Sequence, residues 1–253
     1  MYEETPKLEG QPDQKIEKLF DHCFEIKKIE EGDKIPVGGE SLMSSETNVY
    51  VIADFEKLND FLQSTHTLAE GYNLSKIKDQ LVAQGVEITP KTFAELIAFS
   101  RSYNEEYPAN PEGAALRKKL YEEKEVKISD VFASNSAECA EIAALAQVYL
   151  QQAGVDSLFF SGEVLWKKDD EFAEAHSFII LKDKGKTYIY DPANPLSIPN
   201  GKFPSLYTIE KDFDTEVRTG QKRFVTAENI GTKNEAYFGV GSNTNVDPER
   251  HIV

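Results

Sequence analysis

Three apolar runs follow one another between Asp156 and Pro195: "DSLFFSGEVLW", "EAHSFIILKD" and "KTYIYDPANP". Each is rich in aromatic and β-branched residues. The connections between them, "KKDDEFAE" and "KDKGK", are short and charged or contain glycine. Strands joined by connections this short pair as antiparallel neighbours, because a parallel pair needs a crossover of a dozen residues or more. Directly before them, "SNSAECAEIAALAQVYLQQAG" (134–154) reads as an alanine- and leucine-rich helix that stops at Gly154. A helix laid on an antiparallel sheet is the arrangement these elements favour, which places the chain in the α+β class.

The first half has a different texture. Residues 1–12 are polar. "KIEKLFDHCFEIKKI" then sets Ile16, Leu19, Phe20, Cys23 and Phe24 at helical spacing, so Cys23 reads as a core residue. "NVYVIADF" is a short strand. "EKLNDFLQSTHTLAEGYNLSKIKDQLVAQG" reads as helix interrupted near Gly71, and "NPEGAALRKKLYEEKE" as a further amphipathic helix. In "ITPKTFAELIAFSRSYNEEYP", Thr89 is a natural N-cap, with Pro90 in the first turn. The expected organisation is a mostly helical region over 1–130, with a role in substrate or partner recognition, and a core over 131–253. Beyond the three runs, "FPSLYTIEKDF" and "QKRFVTA" read as edge strands or short helices, and "GVGSNTNVDPERHIV" as irregular.

Chemistry concentrates on the helix and the strands after it. Asn135 is positioned to cap the helix, and Glu138 follows at capping-box spacing. Cys139 then falls at the helix start, where unpaired N–H groups and the helix dipole favour a thiolate. A thiolate nucleophile needs an acid–base partner, and that partner needs an orienter. His176 lies on the second strand and Asp191 at the end of the third. Pairing across "KDKGK", with the turn near Asp183 and Lys184, sets His176 opposite Asp191. Taken singly, each residue has a structural reading: a small buried hydrophobe, a satisfied strand histidine and an Asx turn. Their order and strand context point to a combined site.

Over about Ser134 to Pro195 the chain resembles the catalytic core of the transglutaminase-like superfamily, a branch of the papain-like cysteine enzymes. The resemblance rests on Ala137-Glu138-Cys139, the helix to Gly154, Gly162 within "FFSGEV", His176-Ser177-Phe178 and Tyr190-Asp191-Pro192. It implies a papain-like core with the Cys helix against an antiparallel sheet. It also implies Cys139 as nucleophile, His176 as general base and acid, and Asp191 as orienter. Two positions depart from the pattern: Ala137 stands where Gly is usual, and Phe178 where Trp is frequent. The family often places an upstream Trp or Gln in the oxyanion hole. The single Trp of this chain, Trp166, follows the Cys, which leaves Asn135 as the auxiliary candidate.

The implied reaction is acyl transfer on an amide, with hydrolysis (a peptidase or deamidase) ahead of transamidation, since no Ca²⁺ loop or acceptor site is recognisable. A binding module that keeps the fold without turnover is the rival from another class. The net charge of −16 disfavours nucleic acid, whose phosphates need a basic surface, whereas a protein or peptide substrate is what the resemblance implies. The two cysteines make no disulfide framework, and a single bridge between Cys23 and Cys139 stays open. His22, His66 and His251 show no metal-ligand spacing, so neither metal nor organic cofactor is expected. No apolar run is long enough for a membrane span. The start, "MYEETPKLEGQPDQKIEK", is acidic and unlike a signal peptide, which sets a cytoplasmic expectation, with signal-independent secretion as an effector also open.

Overall fold

A computed structural model describes residues 26–36, 50–55, 59–63, 74–83, 85–106, 113, 122, 126–198, 201–210 and 212–240. Cys23, His22, His66, His251 and most of "NPEGAALRKKLYEEKE" lie outside them. The described chain runs β1 (Ile26–Lys27), β2 (Lys34–Pro36), β3 (Tyr50–Ile52), α1 (Leu74–Ala83), α2 (Pro90–Glu106), β4 (Val126–Lys127), α3 (Ile128–Ala133), α4 (Cys139–Gln152), β5 (Ser157–Leu165), β6 (Glu174–Asp183), β7 (Lys186–Ile198), β8 (Gly201–Ile209), α5 (Phe213–Arg218), β9 (Phe224–Asn229) and β10 (Glu235–Gly239).

The larger sheet has seven strands in the order β1-β5-β10-β9-β8-β7-β6. Every pairing in it is antiparallel. β5 also pairs with β6, so the strands from β5 to β10 form a closed circuit. A three-stranded sheet, β2-β3-β4, stands apart from it.

The alternation of side chains explains why β5, β6 and β7 read as unbroken apolar runs. Phe159, Ile179, Leu181, Tyr188 and Tyr190 face one core, and Phe160, Phe178, Ile180 and Ile189 face the other. Both faces are covered, so neither phase of the period-2 pattern is polar. The first core lies between the sheet, α4 and α2, where Phe93, Leu96 and Phe99 complete it. α4 is buried from Ala140 through Leu150, which accounts for its apolar residues all round. Its buried Gln147 is satisfied: Oε1 accepts from the Ile29 N–H at 2.9 Å, and Nε2 donates to the Ser157 carbonyl at 3.2 Å. On the other face, Phe213 and Val217 of α5 pack with Phe178, Val225 and Phe238.

Thr89 caps α2 as expected, with its hydroxyl accepting from the Thr92 N–H at 3.1 Å and Pro90 beginning the helix. Other expectations need correcting. β8 and β9 are interior strands of the circuit rather than edges, and β10 forms before the C-terminal stretch. These runs are short, and their place is set by partners distant in sequence. The β6–β7 turn is Lys184–Gly185, both with positive φ (47° and 74°). This two-residue turn needs the left-handed conformation that glycine adopts readily. It shifts the register from the expected one: Asp183 pairs with Lys186 and Ile179 with Tyr190. Continued along the strands, that register sets Asp191 level with Phe178, one pleat away from His176. The offset is even, so His176 and Asp191 still share a face.

Candidate active site

Cys139 is the first residue of α4, a free thiol and partly exposed. Glu138, not Asn135, is the N-cap, and its N–H donates to Glu141 Oε2 at 3.0 Å. Asn135 instead occupies the turn between α3 and α4 with φ 53°, a left-handed conformation that asparagine tolerates. Its N–H donates to the Phe132 carbonyl at 3.0 Å. The expected cap fails because the helix begins at Cys139, so the half-in position falls immediately before it. The Glu141 side chain is fully buried behind the cap and fixes the first turn that carries the sulfur.

His176 sits on β6 directly across from Gly162 of β5. Its Nε2 lies 2.9 Å from Asp191 Oδ2, with both residues buried. Cys139 is the other titratable group that acts on the ring. With Nε2 on the carboxylate, Nδ1 is the ring nitrogen that remains for a further partner. Burial opposes a charged ring. The charge and hydrogen bond of Asp191 outweigh it, helped by the hydrogen bond and charge of Cys139, and together they hold His176 well above the ordinary imidazole range. A ring that keeps its proton is one that can donate it to a leaving group.

Asp191 is fixed by more than the ring. Between Asp191 and Pro195 the register with β8 shifts, and the strand bulges there. Within the bulge the Ala193 N–H donates to Asp191 Oδ1 at 3.1 Å, and Asn194 Nδ2 donates to Oδ2 at 2.8 Å. The aspartate of "YDP" is thus an Asx-type turn and a partner of His176 at once, so its two readings are compatible.

Trp166 is the residue that sequence reasoning set aside. Its ring meets His176 edge-on, with centroids 5.4 Å apart, and the Phe178 ring lies 6.3 Å from the imidazole at 30°. The indole N–H donates to Glu174 Oε2 at 2.8 Å across the base of the β5–β6 hairpin. The signal was present in the alternation of β5: Trp166, one residue past its end, keeps the phase of Gly162, the cross-strand partner of His176. A search upstream of the cysteine missed it. Gly162 is required in its own right. A Cβ there would lie 2.5 Å from the Gly239 carbonyl oxygen and collide with the Phe160 ring.

Compared with protein-family models, curated proteins and solved structures, the chain matches none. Among the described residues no group of three or more His, Cys, Asp or Glu is disposed to hold a metal ion, and no helix is long and apolar enough to cross a membrane.

Proposed function

We propose that this chain is a cysteine-dependent acyl-transfer enzyme acting on an amide of a protein or peptide, with hydrolysis as its outcome, built on a transglutaminase-like core. The observation that carries the reading is the buried pair His176–Asp191, 2.9 Å apart, with Cys139 at the start of α4 acting on the same ring. The sulfur of Cys139 attacks the amide carbonyl carbon. The His176 imidazolium passes its proton to the leaving amine, and a thioester forms. Neutral His176 then takes a proton from water, whose oxygen attacks the thioester, releasing a carboxylate and the free thiol. Asp191 holds the ring and compensates its charge without itself taking the proton. Trp166 and Phe178 pack near the ring and limit its rotation.

The test is mass spectrometry of a panel of proteins and glutamine-containing peptides, incubated with the native chain or with Cys139→Ala, and with or without excess primary amine. A new carboxylate made only by the native chain is expected. Amine adducts outnumbering carboxylates at modest amine concentration would make the reaction transamidation. Equal products from both chains, or no acyl chemistry on any amide, ester or thioester, would overturn the proposal in favour of a binding module.

A further inference from the structure

The structure assigns Asn194 a role as the positioning residue of Asp191: it holds the carboxylate in the one orientation that lets Oδ2 face the imidazole. The inference rests on the reading of Cys139, His176 and Asp191 as one site. Three observations carry it. Asn194 Nδ2 and His176 Nε2 share the same oxygen, Asp191 Oδ2, at 2.8 and 2.9 Å. The Asn194 main chain is itself anchored, because the buried Ser205 hydroxyl donates to its carbonyl at 2.6 Å. The bulge that brings Asn194 back onto the carboxylate spends residues 192–194 without partners on β8, since Asp191 pairs with Ser205 and Pro195 with Pro204.

Bulges next to sites re-aim side chains. Here the re-aimed group is an amide that can donate to a carboxylate but cannot titrate. Without Asn194, Oδ2 keeps only the imidazole as donor, while Oδ1 stays tied to Ala193. The carboxylate is then held against turning about its Cβ–Cγ bond only by the Ala193 N–H and the ring itself, and the ring's partner is less firmly fixed. Asn194 is solvent-exposed, so its replacement leaves both cores intact.

The experiment needs no identified substrate. The probes are the second-order rate of Cys139 alkylation by iodoacetamide at neutral pH and the downfield NMR signal of the His176 ring proton shared with Asp191. They are compared in the native chain, Asn194→Ala, Asn194→Asp, Ser205→Ala and His176→Ala, with circular dichroism confirming the fold. In Asn194→Ala we expect alkylation slowed about tenfold, the factor that one charge-assisted hydrogen bond is worth at the low end, with the ring-proton signal moved upfield or lost to exchange. Asn194→Asp should match or exceed that loss, because an ionised carboxylate cannot donate. Ser205→Ala should show the same changes, smaller in size. Should Asn194→Ala fail to fold, Ser205→Ala and Asn194→Asp carry the test. Native alkylation rates and an unmoved ring proton in the folded Asn194 variants, with His176→Ala slow, would overturn the inference and leave the site intact. A native rate in His176→Ala would overturn the site reading itself.

Discussion

Replacing Asp191 by asparagine keeps the shape of the side chain and removes its charge. Asp191 is fully buried and accepts at both oxygens: Oδ1 from the Ala193 N–H at 3.1 Å, Oδ2 from His176 at 2.9 Å and Asn194 at 2.8 Å. An asparagine brings one acceptor and one donor. If its oxygen faces His176 and Asn194, its NH₂ meets the Ala193 N–H and one hydrogen bond is lost. The reverse orientation sets NH₂ against two donors, so the first is preferred. The cost is one buried unmade bond, about 1–3 kcal/mol, plus roughly 1 kcal/mol for reducing two charge-assisted bonds to neutral ones. At this chain length a loss of about 2–4 kcal/mol lowers Tm by roughly 4–16 °C, and the fold survives. The preferred orientation also keeps Nε2–H bonded, so what disappears is the compensation of charge. Asp191 is the strongest influence raising His176 against burial. The ring therefore falls toward or below its ordinary value of 6.5 in the variant. The raised ring of the native chain contributes stability that is complete below that unfolded value and lost as pH rises through the folded one. The difference in stability between native chain and variant should accordingly be widest near pH 6 and narrow on the alkaline side. Turnover should fall by about 10²–10⁴. The assays are NMR titration of the His176 ring and thermal denaturation from about pH 6 to about pH 9. A ring that titrates identically in both proteins would refute the reasoning.

Two further substitutions test the frame around the site. Gly162→Ala should cost about 1–3 kcal/mol, because its Cβ meets a strand carbonyl 2.5 Å away that cannot step aside; chemical denaturation measures this, and unchanged stability would mean that β5 and β10 do not approach as described. Gln147→Leu should cost about 1–3 kcal/mol by leaving the Ile29 N–H and the Ser157 carbonyl without their partner. That loss should be accompanied by faster hydrogen exchange at Ile29 while Cys139 reactivity stays unchanged.

The parts of the fold legible in the sequence are those whose neighbours are close in the chain. α4, β5, β6 and β7 follow one another through short connections, so their pattern, order and antiparallel pairing can be read directly. Thr89 and Pro90 mark their helix start by chemistry that is entirely local. The closure of the sheet was hidden, because β5 pairs with β10 some seventy residues later, at Tyr237 with Leu165. Within the candidate site, residue types and strand ends sufficed to set His176 beside Asp191. Their register needed the positive φ of Lys184 and Gly185, and periodicity does not report a turn's conformation. Asn135 was misplaced by a similar margin: small polar residues on both sides of a helix start look equally like caps until backbone angles choose among them. Trp166 was missed as a neighbour of His176 because it meets the ring from another strand's end.

The central claim is that the Cys139 sulfur attacks acyl groups because His176 activates it. Intact-protein mass spectrometry after a brief exposure to an activated ester, with peptide mapping of the adduct, tests this most directly. The account predicts an acyl adduct on Cys139 that forms and then hydrolyses, is absent in Cys139→Ala and forms far more slowly in His176→Ala. An adduct spread over other nucleophiles, or one that forms on Cys139 at the same rate without His176, would contradict it.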